Sequence, residues 1–392
     1  MNRLLVLGSS HAELPLVEAA LSLGCFVATA SLGDPGLAAM RSNHHYRIDY
    51  SEATLVEKLV REANFTSVVA GCNDFAAFTA ARIADKLHMV NHDSLWQTTQ
   101  IHLKDNFRGL CARLRIPSPR FFAITDDEDF GANRLERLTF PVIVKPVDLT
   151  GGKGIMISEN ASQAEAAVKS ALSESRSKRV VIEDLIQGQL QSACFILNNG
   201  HPVLLTHARE FVKRDAFLVE SALTPSGLSD SRIHRLTIYA HQITKELKLS
   251  GGLLHLQFIS QGENDFLIEA CRRPPGDLYL LLPTLLEDFS IADLVVRNVL
   301  GHREIGQVRQ RLLPSTLRLC LFPPSNGQVS GWKLTRSREV SIVRSFKLRP
   351  SATEILDCKR EKLGIVFLVG DDSVLTEIAE DPEKMISVEY RH

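Results

Sequence analysis

Over roughly its first hundred residues the chain alternates short apolar runs with helical spacing, which leaves few folds open. Residues 3–7 read RLLVL, a buried strand that stops at Gly8, Ser9 and Ser10, and Leu14, Val17 and Leu21 then recur at helical spacing. Residues 26–30 and 66–70 repeat the strand pattern and residues 75–87 the helical one, while Ser51 stands where it would cap a helix carrying Leu55, Leu59 and Val60 on one face. The expected unit, residues 1–102, is a Rossmann-like α/β domain with a mostly parallel sheet. Its first turn lacks the second and third glycines of a dinucleotide fingerprint. The turn at the strand end can still accept a small anionic or zwitterionic substrate.

The pattern then changes. Residues 93–114 read as helical and are broken by Pro117 and Pro119. From there to residue 302 the chain reads as an α+β unit rich in hairpins, with a lid at about 140–190. Residues 303–392 read as a small, mostly β carboxy-terminal α+β unit with strand-like runs at 317–322, 340–343 and 365–369. A length of 392 residues suits two or three such units.

Formal net charge is −1, so no global field would hold nucleic acid or a membrane surface, and an anion must be bound by a local cluster of cations. The seven cysteines are scattered with no CxxC pair, which argues against structural zinc or disulfides and for a reducing compartment, the cytoplasm. The apolar run of residues 4–7 is too short for a leader, and no run reaches the ~20 residues a spanning helix needs.

Three segments carry chemistry. Residues 140–154 read FPVIVKPVDLTGGKG, placing Lys145 at a strand end beside a turn with Gly151, Gly152, Lys153 and Gly154. Such a turn lets backbone N–H groups approach phosphate oxygens, although an exposed hairpin with two solvated lysines has the same pattern. Residues 180–186 read VVIEDLI, an edge strand whose unpaired backbone suits adenine or is an ordinary edge. Residues 253–259 (LLHLQFI) and 265–277 (DFLIEACRRPPGD) read as a hairpin that sets Glu269 across from Gln257. A carboxylate there suits Mg²⁺, and Arg272 and Arg273 suit phosphate or carboxylate, or together they form a surface ion cluster.

In this order the segments resemble the ATP-grasp superfamily, in particular its carboxylate–amine ligases with a His-x-Gln-Phe, Ile-Glu, Arg-Arg-x-Pro-Gly-Asp signature. Here that signature is His255, Gln257 and Phe258, then Ile268 and Glu269, then Arg272, Arg273, Pro275, Gly276 and Asp277. The resemblance implies a pre-ATP-grasp domain followed by an ATP-grasp domain of two α+β subdomains. It implies that ATP is bound by Lys104, Lys145, the glycine loop and the hinge Glu183, Asp184, Leu185 and Ile186. It further implies Glu269 and Gln257 as ligands of Mg²⁺ or Mn²⁺, Arg273, Arg272 and Lys213 as catalytic cations, and Gln189 or Gln191 as the ribose ligand in place of Leu190. The chain departs from many members in having Gln257 for an acidic residue and Cys271 for Asn.

The function so implied is ATP-dependent amide formation through an acyl phosphate. The partners are a small carboxylate and an amine, an amino acid or a sugar uronic acid among them, and there is room for a homodimer. A carboxylase of the same fold, or a non-catalytic nucleotide-binding regulator, remains open on the sequence.

Overall fold

The computed structural model describes residues 1–33, 35–89, 91–125, 139–215, 217–302, 309, 311–335, 338–350 and 352–391. The amino-terminal unit follows its alternation. β1 (Arg3–Leu7), β2 (Phe26–Ala30), β3 (His44–Tyr46) and β4 (Ser67–Ala70) lie parallel in the order β3-β2-β1-β4. They are interleaved with and followed by α1 (Leu14–Ser22), α2 (Leu37–Arg41), α3 (Ala53–Glu62) and α4 (Asp74–Leu87). In α3 the residue before the first turn is Glu52 rather than Ser51, and Val56 and Val60 are buried while Leu55 is 50% exposed.

The expected helix over 93–114 is two helices, α5 (Leu95–His102) and α6 (Lys104–Leu114), separated by Leu103 in an extended conformation. Ser94 and Gln97 form a capping box that starts α5. Then comes the segment expected as a lid, an antiparallel sheet in the order β5-β8-β6-β7 made from β5 (Phe121–Thr125), β6 (Val142–Pro146), β7 (Met156–Ser158) and β8 (Arg179–Asp184). Between β7 and β8 runs α7 (Ala161–Glu174). Its Ala164, Ala167, Val168 and Ala171 recur at helical spacing and pack on Val142, Val144, Val180 and Ile182.

The central sheet is larger than the sequence suggested. β9 (Gln189–Asn198), β10 (His201–Phe211), β11 (Ser221–Thr224), β12 (Leu253–Gln261) and β13 (Asn264–Cys271) are joined by strands from the carboxy-terminal region. α8 (Asp230–Glu246) lies between β11 and β12, and α9 (Ile291–Val299) follows β13. Then come β14 (Thr316–Leu321), β15 (Gly327–Leu334), β16 (Val340–Lys347), β17 (Thr353–Ile355), β18 (Gly364–Gly370), α10 (Asp372–Glu380) and β19 (Ile386–Tyr390). The eight strands run β13-β12-β9-β10-β11-β14-β18-β16, while β17-β15-β19 form a small sheet of their own.

The expected boundary at 302/303, whose residue 303 lies outside the described residues, is thus bridged by hydrogen bonding of β14 to β11. The exposed backbone edge of a short strand such as β11 is satisfied by adding a strand rather than by starting a new domain. One face of the sheet carries Phe195, Leu254, Leu256 and Phe258 under α6 and α8. The other packs Cys194, Ala208, Ala222, Cys320 and Phe367 in one core with Leu4, Val6, Leu16 and Val17 of the first unit.

Because that core is shared, Phe367→Ala should destabilise the whole chain by about 3–5 kcal/mol, the range for an aromatic removed from a packed core. Urea unfolding followed by near-ultraviolet circular dichroism should show a lowered midpoint for the bulk of the signal. A loss confined to a minor separate transition would mean that the carboxy-terminal strands fold on their own.

Candidate active site

Strand parity fixes where the lid's polar residues point. On β6, Val142 and Val144 face α7, so Lys145 faces away, and Glu183 on β8 shares that face because it pairs with Ile143. Lys145 Nζ lies 2.7 Å from Glu183 Oε2, and both residues are buried. Arg108, one helical turn after Lys104 on α6, completes the group. Its Nε lies 2.9 Å from Glu183 Oε1 and its Nη2 donates to the Ile268 carbonyl at 2.7 Å. Burial alone would raise the Glu183 pKa, but Arg108 and Lys145 hold it down to about 2. Burial pushes the Lys145 pKa down, against the pull of Glu183.

Lys104 sits beside this group, with its Nζ donating to the Leu149 carbonyl at 2.6 Å. The turn that follows has Gly151, Gly152 and Gly154 all at positive φ. A Cβ on Gly152 would come within 2.8 Å of Phe217 Cβ, so this loop lies directly against the segment after β10. Lys153 at its tip is exposed. Beyond Asp184, whose carboxylate accepts from Arg120 at 2.6 Å, the main-chain groups of Leu185 and Ile186 have no partner among the described residues.

The opposing wall is the sheet face that looks toward the first unit. Gln257 and Glu269 stand directly opposite each other on β12 and β13, as the hairpin spacing predicts. Glu269 enters no ion pair among the described residues. Gln257 turns its Nε2 onto Glu210 Oε2 at 2.6 Å, which leaves its Oε1 as the atom able to meet a cation. Arg273 is buried, donating through Nε to Asp74 Oδ1 at 2.6 Å and through Nη1 to the Pro274 carbonyl. Asp74 begins α4, so the first unit holds this arginine in place.

Three further residues of the site had no sequence signal. Glu210 is buried on β10, and Arg318, on β14 in the same cross-strand row, is buried with its Nε unpartnered among the described residues. Lys362, just before β18, lies 2.5 Å from Asp277, whose other neighbours are His11 and Arg318. Burial opposes ionisation of Asp277, but Lys362, His11 and Arg318 hold its carboxyl far below the usual range. Parity along β14 would have offered Arg318 only to a reader who knew that β14 joins the central sheet.

Some expected residues lie elsewhere. Gln191 faces α8 rather than the cluster and donates to Ser260 at 2.8 Å, because Leu190 and Ser192 take the inward positions of β9. Lys213 lies past the end of β10 and pairs with Asp381 at 3.2 Å near the surface. Arg272 is committed to Asp93 at 2.7 and 2.9 Å and to the carbonyls of Gly251 and Leu253. The first turn already holds an anion of its own. The Glu13 carboxylate accepts from the backbone N–H of Ser10 and of Cys72, each at 2.9 Å, so these two donors are taken.

Residues 103–216 match the family model described as phosphoribosylglycinamide synthetase, ATP-grasp (A) domain. Among solved structures, the L-amino acid ligase from Bacillus licheniformis aligns with a TM-score of 0.83 at 16% identity, covering 100% of this chain and 99% of that one. Phosphoribosylglycinamide synthetase from Anaerococcus prevotii aligns at 0.78 and 16%, covering 100% of both chains. The biotin carboxylase domain of the Hydrogenobacter thermophilus 2-oxoglutarate carboxylase, in complex with MgADP, ADP and bicarbonate, aligns at 0.79 and 15%, covering 99% and 90%. Identities this low establish the fold. No described helix is long and apolar enough to cross a membrane.

Two outcomes follow from the buried trio. Lys145→Ala should weaken binding of a nucleotide triphosphate by about 2–5 kcal/mol, the cost of losing one desolvated charge contact, as read by calorimetric titration. Equal affinity in the two proteins would remove Lys145 from the site. Because the Glu183 pKa is depressed on folding, its stabilising contribution is complete above about pH 4.3 and drains away as pH falls toward 2. Glu183→Gln should lower stability at neutral pH and flatten that acid limb, as followed by denaturant midpoints across pH.

Proposed function

We propose that this chain, an ATP-grasp protein by its domain match and its fold, uses ATP to activate a small carboxylate as an acyl phosphate and joins it to an amine, releasing ADP and phosphate. The observation that carries this reading is the polar row on one face of the central sheet. It has Glu269 and Gln257 at one end, Arg318 at the other, and Lys362 with Asp277 beyond. A phosphate-and-cation end and an acid-binding end then share one surface, as phosphoryl transfer onto a carboxylate requires.

The residues fit magnesium ATP. Lys104 and Lys145 flank a glycine loop whose N–H groups can approach phosphate oxygens, and the unpaired main chain at Leu185 and Ile186 suits the polar edge of adenine. Glu269 is a carboxylate that enters no ion pair among the described residues, and Mg²⁺ takes one or two protein oxygens together with phosphate oxygens. Magnesium, when bound there, neutralises charge that develops on the transferred phosphoryl group.

The remaining steps belong to the protein. Asp74 holds Arg273, whose Nη2 has no hydrogen-bond partner among the described residues and is the nitrogen left to meet the growing charge. Arg318 Nε and Lys362 attract the substrate acid, an anion that replaces part of the field Asp277 now satisfies. The loop closed against Phe217 keeps water from the acyl phosphate, which would otherwise be hydrolysed. Amino acids are the first substrates to try as acid and amine, since the amino acid ligase fold matches over the whole chain.

Glu269→Gln should lower magnesium-dependent turnover by about 100-fold or more, because one charged oxygen carries most of the cation's binding. With an active acid labelled with oxygen-18 in its carboxylate, label should appear in the released phosphate, and the nucleotide product should be ADP. AMP as product would remove the acyl phosphate route. ADP formation that needs bicarbonate and no amine would move the reading to a carboxylase.

A further inference from the structure

The turn between β17 and β18 is built as a stiff block. The Glu361 carboxylate accepts from the backbone N–H of Leu356 at 2.8 Å and of Asp357 at 2.7 Å, and it pairs with Arg349. Asn326 braces the other side, donating to the Leu356 carbonyl and accepting from the Cys358 N–H, each at 2.7 Å. Lys362 and Arg360 leave this block in different directions. Lys362 reaches Asp277 at the acid end, whereas Arg360 reaches the glycine loop. Arg360 Nη2 lies 2.9 Å from Asp215 Oδ2, and its Nη1 donates to the Gly151 carbonyl at 3.4 Å. Asp215 in turn accepts from the Phe217 N–H at 3.0 Å, and Phe217 is the residue that Gly152 lies against.

We infer that Arg360 is a positioning residue that clasps the glycine loop shut, and that its place beside Lys362 couples this closure to capture of the acid. The coupling rests on the ligase reading above; the clasp does not. A loop with Gly151, Gly152 and Gly154 at positive φ has many open conformations, so holding it closed costs entropy. A fixed partner offsets that cost. The planar guanidinium fork lets one side chain hold a carboxylate and a carbonyl together, which an ammonium group does less well. An acid bound at Lys362 steadies the same block from its other end, so acid and closed loop favour each other reciprocally. Were the loop to open early, water would add to the acyl carbon and the bond to the phosphate oxygen would break. Free acid and phosphate would return, and ATP would be consumed without an amide.

An ordinary surface ion pair would join Arg360 to Asp215 alone. Here the second prong falls on the first glycine of the loop, and the segment that carries Asp215 also supplies Phe217 as its wall. The side chains are 38% and 17% exposed, so the expected effects are about 5-fold, the upper worth of a partly exposed ion pair.

Hydrogen–deuterium exchange read by mass spectrometry follows the loop directly. Wild type and Arg360→Ala are compared alone, with MgADP, and with MgADP plus the twenty common L-amino acids. In wild type, MgADP should slow exchange over residues 149–154, and the amino acids should slow it further. In Arg360→Ala the protection by MgADP should fall about 5-fold and the further slowing should vanish, with exchange over 179–186 and the circular dichroism spectrum unchanged. Asp215→Asn should act in the same way, and the double variant should be no worse than either single one. In turnover with ATP and the same amino acids, ADP released per amide formed should rise about 5-fold in Arg360→Ala. Arg360→Lys should recover only part of each effect. Equal loop exchange in wild type and Arg360→Ala with MgADP would overturn the clasp, as would an unchanged ratio of ADP to amide. Amide formation by wild type without added slowing by amino acids would overturn the coupling. If wild type forms no amide, the ligase reading with amino acids has failed and the coupling falls with it, while the MgADP comparison still decides the clasp.

Discussion

The fold turns on one buried carboxylate. Glu183 lies on the last strand of the lid, Lys145 on the strand beside it and Arg108 on the helix beneath, and Arg108 also grips the Ile268 carbonyl next to Glu269. A buried charge without partners is expensive, so the three must stay together, and in doing so they fix Lys145 relative to β13, the strand that carries Glu269. The lid core of Val142, Val144 and Val180 under α7 is small and self-contained. Through the trio it gains a polar tether to the body as well as its covalent connections.

The central sheet divides its labour by face. Inward-alternating residues on one side are apolar and packed under α6 and α8, as any half-buried strand demands. On the other side the same alternation places Ser192, Glu210, Gln257, Glu269 and Arg318 beside the apolar Cys194, Ala208 and Ala222 that pack against the first unit. The exchange of an acidic residue for Gln257 is intelligible in this setting, because its amide serves as donor to a neighbouring carboxylate.

Local pattern reached far into this molecule. The parallel first unit, the glycine loop beside Lys145 and the Gln257–Glu269 pairing could be read because each depends on residues near in sequence. Arg108, Glu210, Arg318 and Lys362 could not, since each gains its meaning from strands or helices far away in the chain. Gln191 shows the cost of missing register: one step along β9 reverses the face, and the ribose ligand expected there points toward α8. Arg272 shows a different limit. A guanidinium next to Arg273 looks alike in sequence, yet Asp93, remote in the chain, claims it.

The strand order also sets when the site can exist. β14 and β18 come from the last third of the chain yet lie inside the sheet, and Lys362 and Arg318 arrive with them. During synthesis the amino-terminal unit and the lid emerge first and can form locally, at rates of about 5–20 residues per second. The end of the row that carries Arg318 and Lys362 cannot assemble until β18 has cleared the ribosome and closed onto β14. On the function proposed above, an unfinished polypeptide would therefore lack the cations that gather the acid, and would have no means of turning its fuel into a reactive anhydride.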